Sequence, residues 1–372
     1  MKQYKYNLIV NDMHTETNLN LNLNLNLNLN LDPLSTYPLS TYPLISVCTP
    51  TFNRRPFIPF MIKCFEQQTY PKDRIEWIII DDGTDPIMDL VLNIKQVKYT
   101  YYKEKMLLGR KRNLMHNKCS GDIIIYMDDD DYYPPDRISH AVKTLQDNPS
   151  FLIAGSSEMY VYFDSMKKMY RCGPYKEYHS TAATFAFRKE LLLETSYNNE
   201  NALAEEKHFL KNYTIPLKQL DSLKSIIVFS HKHNSLNKEK LLDNLELTRT
   251  VETSLQIDDY FIDQDLKQFY ITDMNILLET YEPGRPEHKP KLMEQMKLME
   301  DERNKRIEDH NKMLEAQQKF MTSCSKKVIS NSDLEKQLSD KTYLINELLK
   351  KVKALTIELD EYKKQGNKEI NK

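Results

Sequence analysis

The chain has 372 residues, and its 52 basic and 54 acidic side chains nearly cancel, leaving a net charge of -2 and no basic surface of the kind a nucleic-acid partner requires. Five widely spaced cysteines with no C-x-x-C pair exclude a disulfide framework and a zinc knuckle. No apolar run approaches the ~18 residues of a bilayer span, and the first residues lack a secretory apolar segment, which reads as a soluble, cytoplasmic protein.

Residues 1–43 read as a low-complexity, disordered leader. Seven Asn-Leu repeats at 18–31 place one residue type on each face and therefore specify no strand register, and Pro33, Pro38 and Pro43 separate them from the rest of the chain. From Leu44, short apolar runs alternate with helical periodicity. Strands are predicted at Leu44 to Cys48, Ile75 to Ile80, Val97 to Tyr102 and Asp122 to Met127, with helices at Pro56 to Gln68, Gly109 to Lys118 and Pro135 to Gln146. That alternation predicts an α/β fold with a doubly wound, mostly parallel sheet flanked by helices, over 44–240. Beyond Phe151, strands at Leu152 to Ala154, Met159 to Phe163, Thr184 to Phe187 and Ser225 to Val228 and a short helix at Arg188 to Leu193 complete the domain.

After residue 240 the apolar density falls. Residues 241–288 read as a helical connector and 289–331 as a helical stalk, with Met293, Met296, Met299, Ile307, Met313 and Leu314 at loose spacing. Over 332–364, Leu334, Leu338, Ile345, Leu348, Val352, Leu355, Leu359 and Tyr362 follow 4-3 spacing, broken once at Lys341, and Ser332-Asp-Leu-Glu335 is a capping box. This is the pattern of a C-terminal coiled coil, through which the chain would self-associate.

In an open parallel sheet the ligand crevice lies beyond the carboxyl ends of the strands. Three predicted strands deliver polar groups there: Thr49-Pro-Thr-Phe-Asn-Arg54, Asp81-Asp82-Gly83-Thr84-Asp85 and the run Asp128-Asp-Asp-Asp131. Like charges ~4 Å apart repel by about 4 kcal/mol at an effective dielectric near 20, so the run must protonate, splay into water or share a cation. Oxygen ligands select hard ions, Mn²⁺ or Mg²⁺. Acidic residues ahead of a helix also serve as caps, but Pro134-Pro135 already supply the helix start, and four aspartates exceed that need.

The segment Ile45-Ser-Val-Cys-Thr-Pro-Thr-Phe-Asn-Arg54 resembles the opening motif of the family 2 glycosyltransferases. Gln68-Thr-Tyr-Pro71, Ile75 to Thr84, Gly109-Arg-Lys-Arg-Asn113 and Ser120-Gly-Asp122 resemble that family's succeeding segments in order, over about Leu44 to Asn237. The resemblance implies a GT-A-type fold and a donor that is a nucleotide diphosphate sugar, a UDP-sugar first among them. It implies nucleotide contacts at Thr49, Pro50, Arg54 and Asp82, Asp82 accepting from a uracil-like N–H, and at Arg110, Arg112 and Asp128. It places the family's D-x-D pair on Asp128 and Asp130 to within one residue, Asp130 holding the metal.

By the same resemblance, Ala204-Glu-Glu-Lys-His-Phe-Leu210 supplies Glu206, with Glu205 beside it, as the base that takes the acceptor's proton. His231 or His233 completes the metal shell; i, i+2 spacing on an extended segment turns them to opposite faces, so only one serves, and His231 is the first choice. The implied activity is inverting, metal-dependent transfer to the hydroxyl of a glycan, lipid or protein acceptor. Two alternatives share these features: a nucleotidyltransferase, for which the Thr49–Arg54 loop lacks a glycine-rich phosphate cradle, and a coiled-coil assembly protein with an inactive sugar-nucleotide fold.

Overall fold

The structure is a computed structural model that describes residues 42–325 and 331–369. The Asn-Leu leader lies outside the described residues. The chain divides into two units that part after Met299.

The first unit alternates strand and helix as the periodicity requires: β1 (Ile45–Thr51), α1 (Ile58–Glu66), β2 (Ile75–Asp81), α2 (Met88–Val91), β3 (Val97–Tyr101), α3 (Leu108–His116), β4 (Ile123–Tyr126) and α4 (Arg137–Asp147). It continues through β5 (Ile153–Gly155), β6 (Met159–Phe163), β7 (Lys168–Cys172), β8 (Ala186–Arg188), α5 (Glu205–Phe209), β9 (Leu217–Gln219) and β10 (Ile227–Ser230). The helix expected at Arg188 to Leu193 is a 3-10 turn, Lys189–Leu193.

Seven strands lie in the order β3-β2-β1-β4-β8-β5-β9, with β8 antiparallel to both neighbours. Ile45 pairs with Ile75 on one side and Ile123 on the other, so β1 and β4 sit where the winding reverses. Every residue of β2 and β4 is buried, because helices cover both faces of the sheet; such strands read as continuous apolar runs, with no alternation. The crevice beside a reversal point is where open α/β sheets bind ligands, and it brings the β1 and β4 loops together.

Residues 241–288, expected as a helical connector, form α6 (Leu245–Thr248), β11 (Thr250–Glu252), α7 (Gln264–Gln268) and α8 (Met274–Thr280). β11 closes a second sheet of order β10-β6-β7-β11. Leu266, Phe269, Tyr270, Met274 and Leu278 recur every three or four residues and are buried in the core that also holds Phe57, and Phe60 stacks on Phe269 at 3.6 Å. Apolar residues are few there and Ile262, Ile276 and Leu277 are exposed, but the buried set packs on the core, so the segment is part of the domain.

Two long helices complete the chain, α9 (Pro290–Ser325) and α10 (Asn331–Glu369). Leu334, Leu338, Ile345, Leu348, Val352, Leu355 and Leu359 of α10 are all exposed in the single chain. No helix among the described residues is long and apolar enough to cross a membrane.

Candidate functional site

A cavity of about 400 Å³ opens at the carboxyl ends of β1 and β4, bordered by Pro50 and Arg54 after β1, Arg110, Lys111 and Arg112 of α3, and Asp128, Asp129 and Asp130 after β4. The start of α3 is pinned by Gly109, whose amide donates to Asn201 O at 2.9 Å. A Cβ at Gly109 would lie 2.0 Å from Asn198 O, so only glycine permits this approach.

The chain turns within the aspartate run and divides it. Asp131 leaves the cavity: its Oδ1 accepts from Phe229 N at 3.4 Å, and its carbonyl accepts from the Tyr270 hydroxyl at 2.8 Å. Arg54 spans two of the others, with Nε 3.5 Å from Asp129 Oδ1 and Nη2 3.1 Å from Asp130 Oδ2. Burial pushes the Asp129 carboxyl up to about 7 against the pull of Arg54, and burial with the Asp130 charge pushes Asp131 well above the carboxylate range. Asp128 is also raised by burial, with Arg112 opposing. At Asp130 burial is overcome by Arg54 and His231, which hold its carboxyl well below the usual range. Burial and mutual repulsion thus raise the proton affinity of three of the four carboxyls around one that is lowered.

Asp130 Oδ2 lies 3.3 Å from His231 Nε2. Asp128 Oδ1 and Asp129 Oδ2 are buried without a hydrogen-bond partner among the described residues. No three His, Cys, Asp or Glu side chains among those residues converge on one point. An O/N pair with unsatisfied carboxylate oxygens beside it nevertheless fits a hard dication that takes one or two protein ligands and completes its shell with substrate phosphates and water.

The two histidines face different surroundings, although residues 231–234 form a turn and not the extended segment expected, with Asn234 N donating to His231 O at 3.1 Å. His231 faces Asp130; its Nδ1 accepts from His233 N at 3.2 Å, and Asn234 Nδ2 contacts Nε2 at 2.8 Å. His233 turns the other way, packs on Tyr281 and lies so close to Gly284 that a Cβ there would be 2.6 Å from its Nδ1. Its carbonyl, which accepts from Arg54 Nη2 at 2.9 Å, is its link to the site.

Glu205 and Glu206 open α5 behind Ala204, which adopts a left-handed φ of 49°. That conformation costs an L-residue on the order of 1–2 kcal/mol, and Lys211, Asn212 and Tyr213 repeat it just past the helix, so strain brackets the acidic pair. Glu205 Oε1 accepts from Arg112 Nε at 2.9 Å, and Arg112 Nη2 reaches Asp128 Oδ1 at 3.6 Å. The guanidinium lies over the Tyr126 ring, 4.3 Å from its centroid. Glu206 is left out of this pairing: burial and then the Glu205 charge raise its carboxyl to about 7, with Arg112 and Tyr213 working against them.

Two expected nucleotide contacts are placed otherwise. Thr49 is fully buried, its hydroxyl donating to Met127 O at 2.6 Å and accepting from Trp77 Nε1 at 2.9 Å, so it ties three strands together. Asp82 is buried too, accepting from Met106 N at 2.7 Å and paired with Lys111 Nζ, so it aims a cavity cation. Both bear hydrogen-bonding side chains at strand ends, where sequence does not distinguish a ligand contact from a cross-strand tie. Lys105, Lys111 and Lys289 line the cavity and were not singled out from sequence. Lys111 was visible inside the Gly109–Asn113 run; nothing local marks Lys289, which lies 161 residues beyond Asp128 (289 minus 128).

Residues 46–196 match the model described as glycosyl transferase family 2. The chain carries a family 2 glycosyltransferase domain. The matched span takes in the β1 loop, Asp82, α3 and the aspartate run, while Glu205, Glu206 and the histidines lie past its end. An uncharacterized glycosyltransferase of Haemophilus influenzae is 29% identical over 118 residues, which is 30% of this chain and 46% of that protein. The poly(ribitol-phosphate) beta-N-acetylglucosaminyltransferase TarS of Staphylococcus aureus is 25% identical over 112 residues, 28% of this chain and 19% of TarS. The chain therefore spans less than half the length of these curated relatives.

Among solved structures, the mannosyltransferase PcManGT of Pyrobaculum calidifontis, in complex with GDP-Man and Mn²⁺, has a TM-score of 0.42 at 18% identity, covering 53% of this chain and 60% of that one. S. aureus TarS 1–349 in complex with UDP-GlcNAc has a TM-score of 0.39 at 16% identity, covering 67% and 78%. Over the matched span the chain forms a mostly parallel sheet with flanking helices.

Proposed function

We propose that the chain transfers a sugar from a nucleoside diphosphate sugar, a UDP-sugar, to an acceptor hydroxyl with inversion and with the help of Mn²⁺ or Mg²⁺. The observation that carries this reading is the chain of contacts Glu205–Arg112–Asp128, which joins the acidic pair of α5 to the aspartates at the mouth of the cavity. It supports reading the acidic pair of α5 and the aspartate loop as one site, which would combine a base with a cation site, the two functions the reaction needs.

Asp130, Asp128 and His231 would hold the divalent ion, which supplies positive charge to the departing diphosphate. Arg54, Lys111 and Arg112 bring further fixed positive charge to the cavity and need no reorganisation as negative charge develops. Glu206 accepts the acceptor hydroxyl's proton as that oxygen bonds to the anomeric carbon and the bond from carbon to the diphosphate oxygen breaks, the electron pair leaving with the diphosphate. A carboxyl raised to about 7 suits a base operating near neutrality. Asp82 positions Lys111, and Glu205 positions Arg112.

The acceptor is a glycan, lipid or protein hydroxyl, and the exposed seam of α10 supports self-association of the chain through a coiled coil. The test is a panel of UDP-sugars with Mn²⁺ and a glycan and peptide acceptor set, read as released UDP and as product mass. Release of UDP that stops in Asp130→Ala and Glu206→Gln supports the reading; pyrophosphate release from a nucleoside triphosphate would replace it with nucleotidyl transfer.

A further inference from the structure

Three cavity cations are held by carboxylates: Arg54 by Asp129 and Asp130, Lys111 by Asp82, and Arg112 by Glu205 and Asp128. Two others are not. Lys105 Nζ lies 3.9 Å and Lys289 Nζ 5.6 Å from the centroid of the Phe52 ring, and neither has an ion pair among the described residues. Lys289 is only 6% exposed, so its ammonium has been taken out of water without a carboxylate to replace the lost hydration. Burial, and then the charges of Arg54 and Lys105, hold its proton affinity well below the ordinary lysine value, which states the same cost in another form. Lys105 is exposed and stays hydrated, so the buried Lys289 is the cation that an arriving anion would satisfy, with Lys105 beside the same ring.

Lys289 is not carried there by a loose tail. The segment 281–295 is fastened at both ends: Tyr281 donates to Asp85 Oδ2 at 2.9 Å and Pro283 O accepts from Asn53 Nδ2 at 2.8 Å, beside the β1 and β2 loops. At the far end, Gln295 accepts from Ala202 N at 2.9 Å and donates to Glu200 O at 2.8 Å, on the loop that precedes the acidic pair. Between these anchors a Cβ at Gly284 would meet Asn53 O at 2.7 Å, so the strap lies directly against the β1 loop. Buried Leu292 and the lysine before Pro290 then face the cavity.

We propose that Lys289 and Lys105 clamp the diphosphate of the donor across Phe52, which makes the strap 281–295 part of the donor site. This rests on the nucleotide-sugar reading, since the diphosphate is the anionic portion of such a donor. An ammonium contributes a compact point charge to phosphate oxygens and tolerates the variable torsions of a diphosphate better than a planar guanidinium does. The neutral isostere at position 289 should therefore separate two properties that usually fall together. It removes a buried unpaired charge, which stabilises the ligand-free fold, and it removes a phosphate ligand, which weakens binding.

The experiment titrates full-length wild type, Lys289→Met and Lys289→Arg with UDP and with uridine in the presence of Mn²⁺, by calorimetry for UDP and ligand-observed NMR for uridine, alongside thermal melting without ligand. The clamp predicts that Lys289→Met weakens UDP about 10-fold or more, leaves uridine unchanged, melts no lower than wild type, and is rescued by Lys289→Arg. Unchanged UDP affinity in Lys289→Met overturns the clamp while the donor reading stands. Equal loss of UDP and uridine, or a lowered melting temperature with loss of both, overturns it by making Lys289 a structural residue of the strap. Wild-type protein that binds no UDP overturns the donor reading and the clamp with it.

Discussion

Arg112 Nε donates to Glu205 Oε1 at 2.9 Å, between side chains 2% and 6% exposed. The pair unites α3 with α5, and the guanidinium also carries Asp128. Removing one partner of a buried ion pair costs about 3–5 kcal/mol, because the other charge stays buried. Arg112→Met should lower stability by that order in chemical denaturation, and Glu205→Gln in the same chain should recover part of it. A double-mutant cycle with no coupling would show that the two side chains do not act as a unit.

The Glu206 carboxyl, raised from the ordinary 4.5 to about 7, makes two pH predictions. As the proposed base it would act in its ionised form, so kcat/KM should rise with pH through about 7, and Glu206→Gln should abolish turnover while UDP still binds. In stability the sign is opposite. Between 4.5 and 7 the folded protein holds a proton that the unfolded chain has released; this contribution is complete below 4.5 and lost as pH rises through 7. Wild-type stability relative to Glu206→Gln should accordingly decline over that window when melting temperatures are compared.

His231 lies against Asp130 and His233 against Tyr281, so the proposed metal ligand is the first and the packing residue the second. His231→Ala and Asp130→Ala should each weaken Mn²⁺ uptake by the UDP complex at least 10-fold, in line with loss of a direct ligand. His233→Ala should leave Mn²⁺ affinity within a few-fold of wild type and lower the melting temperature. Equal loss of Mn²⁺ in all three variants would contradict the assignment.

Gly109 meets Asn198 O so closely that Gly109→Ala must shift either α3 or the 198–201 loop. The expected cost is about 1–3 kcal/mol, with UDP affinity falling because Lys111 and Arg112 ride on the same helix. A stable variant of unchanged affinity would show that the loop yields freely.

The exposed leucines of α10 predict concentration-dependent association. Sedimentation of the full chain should give a mass above the monomer, and Leu348→Glu with Leu355→Glu should return it to the monomer without altering UDP binding. A monomeric wild type at tens of micromolar would remove the coiled coil.

Sequence alone determined the alternation of strands and helices, the position of the aspartate run after β4 and the long C-terminal helix. These are local properties: strand and helix periods and proline starts carry them without knowledge of distant neighbours. Tertiary structure alone decided that Asp131 leaves the cavity, that Thr49 and Asp82 spend their polar atoms on Trp77, Met127, Lys111 and Met106, and that 241–288 belongs to the core. It also decided that Lys289 enters the cavity beside residues far away in the chain. A side chain's role follows from which atoms surround it, and burial, pairing and proton affinity are set by contacts between segments that sequence order does not bring together.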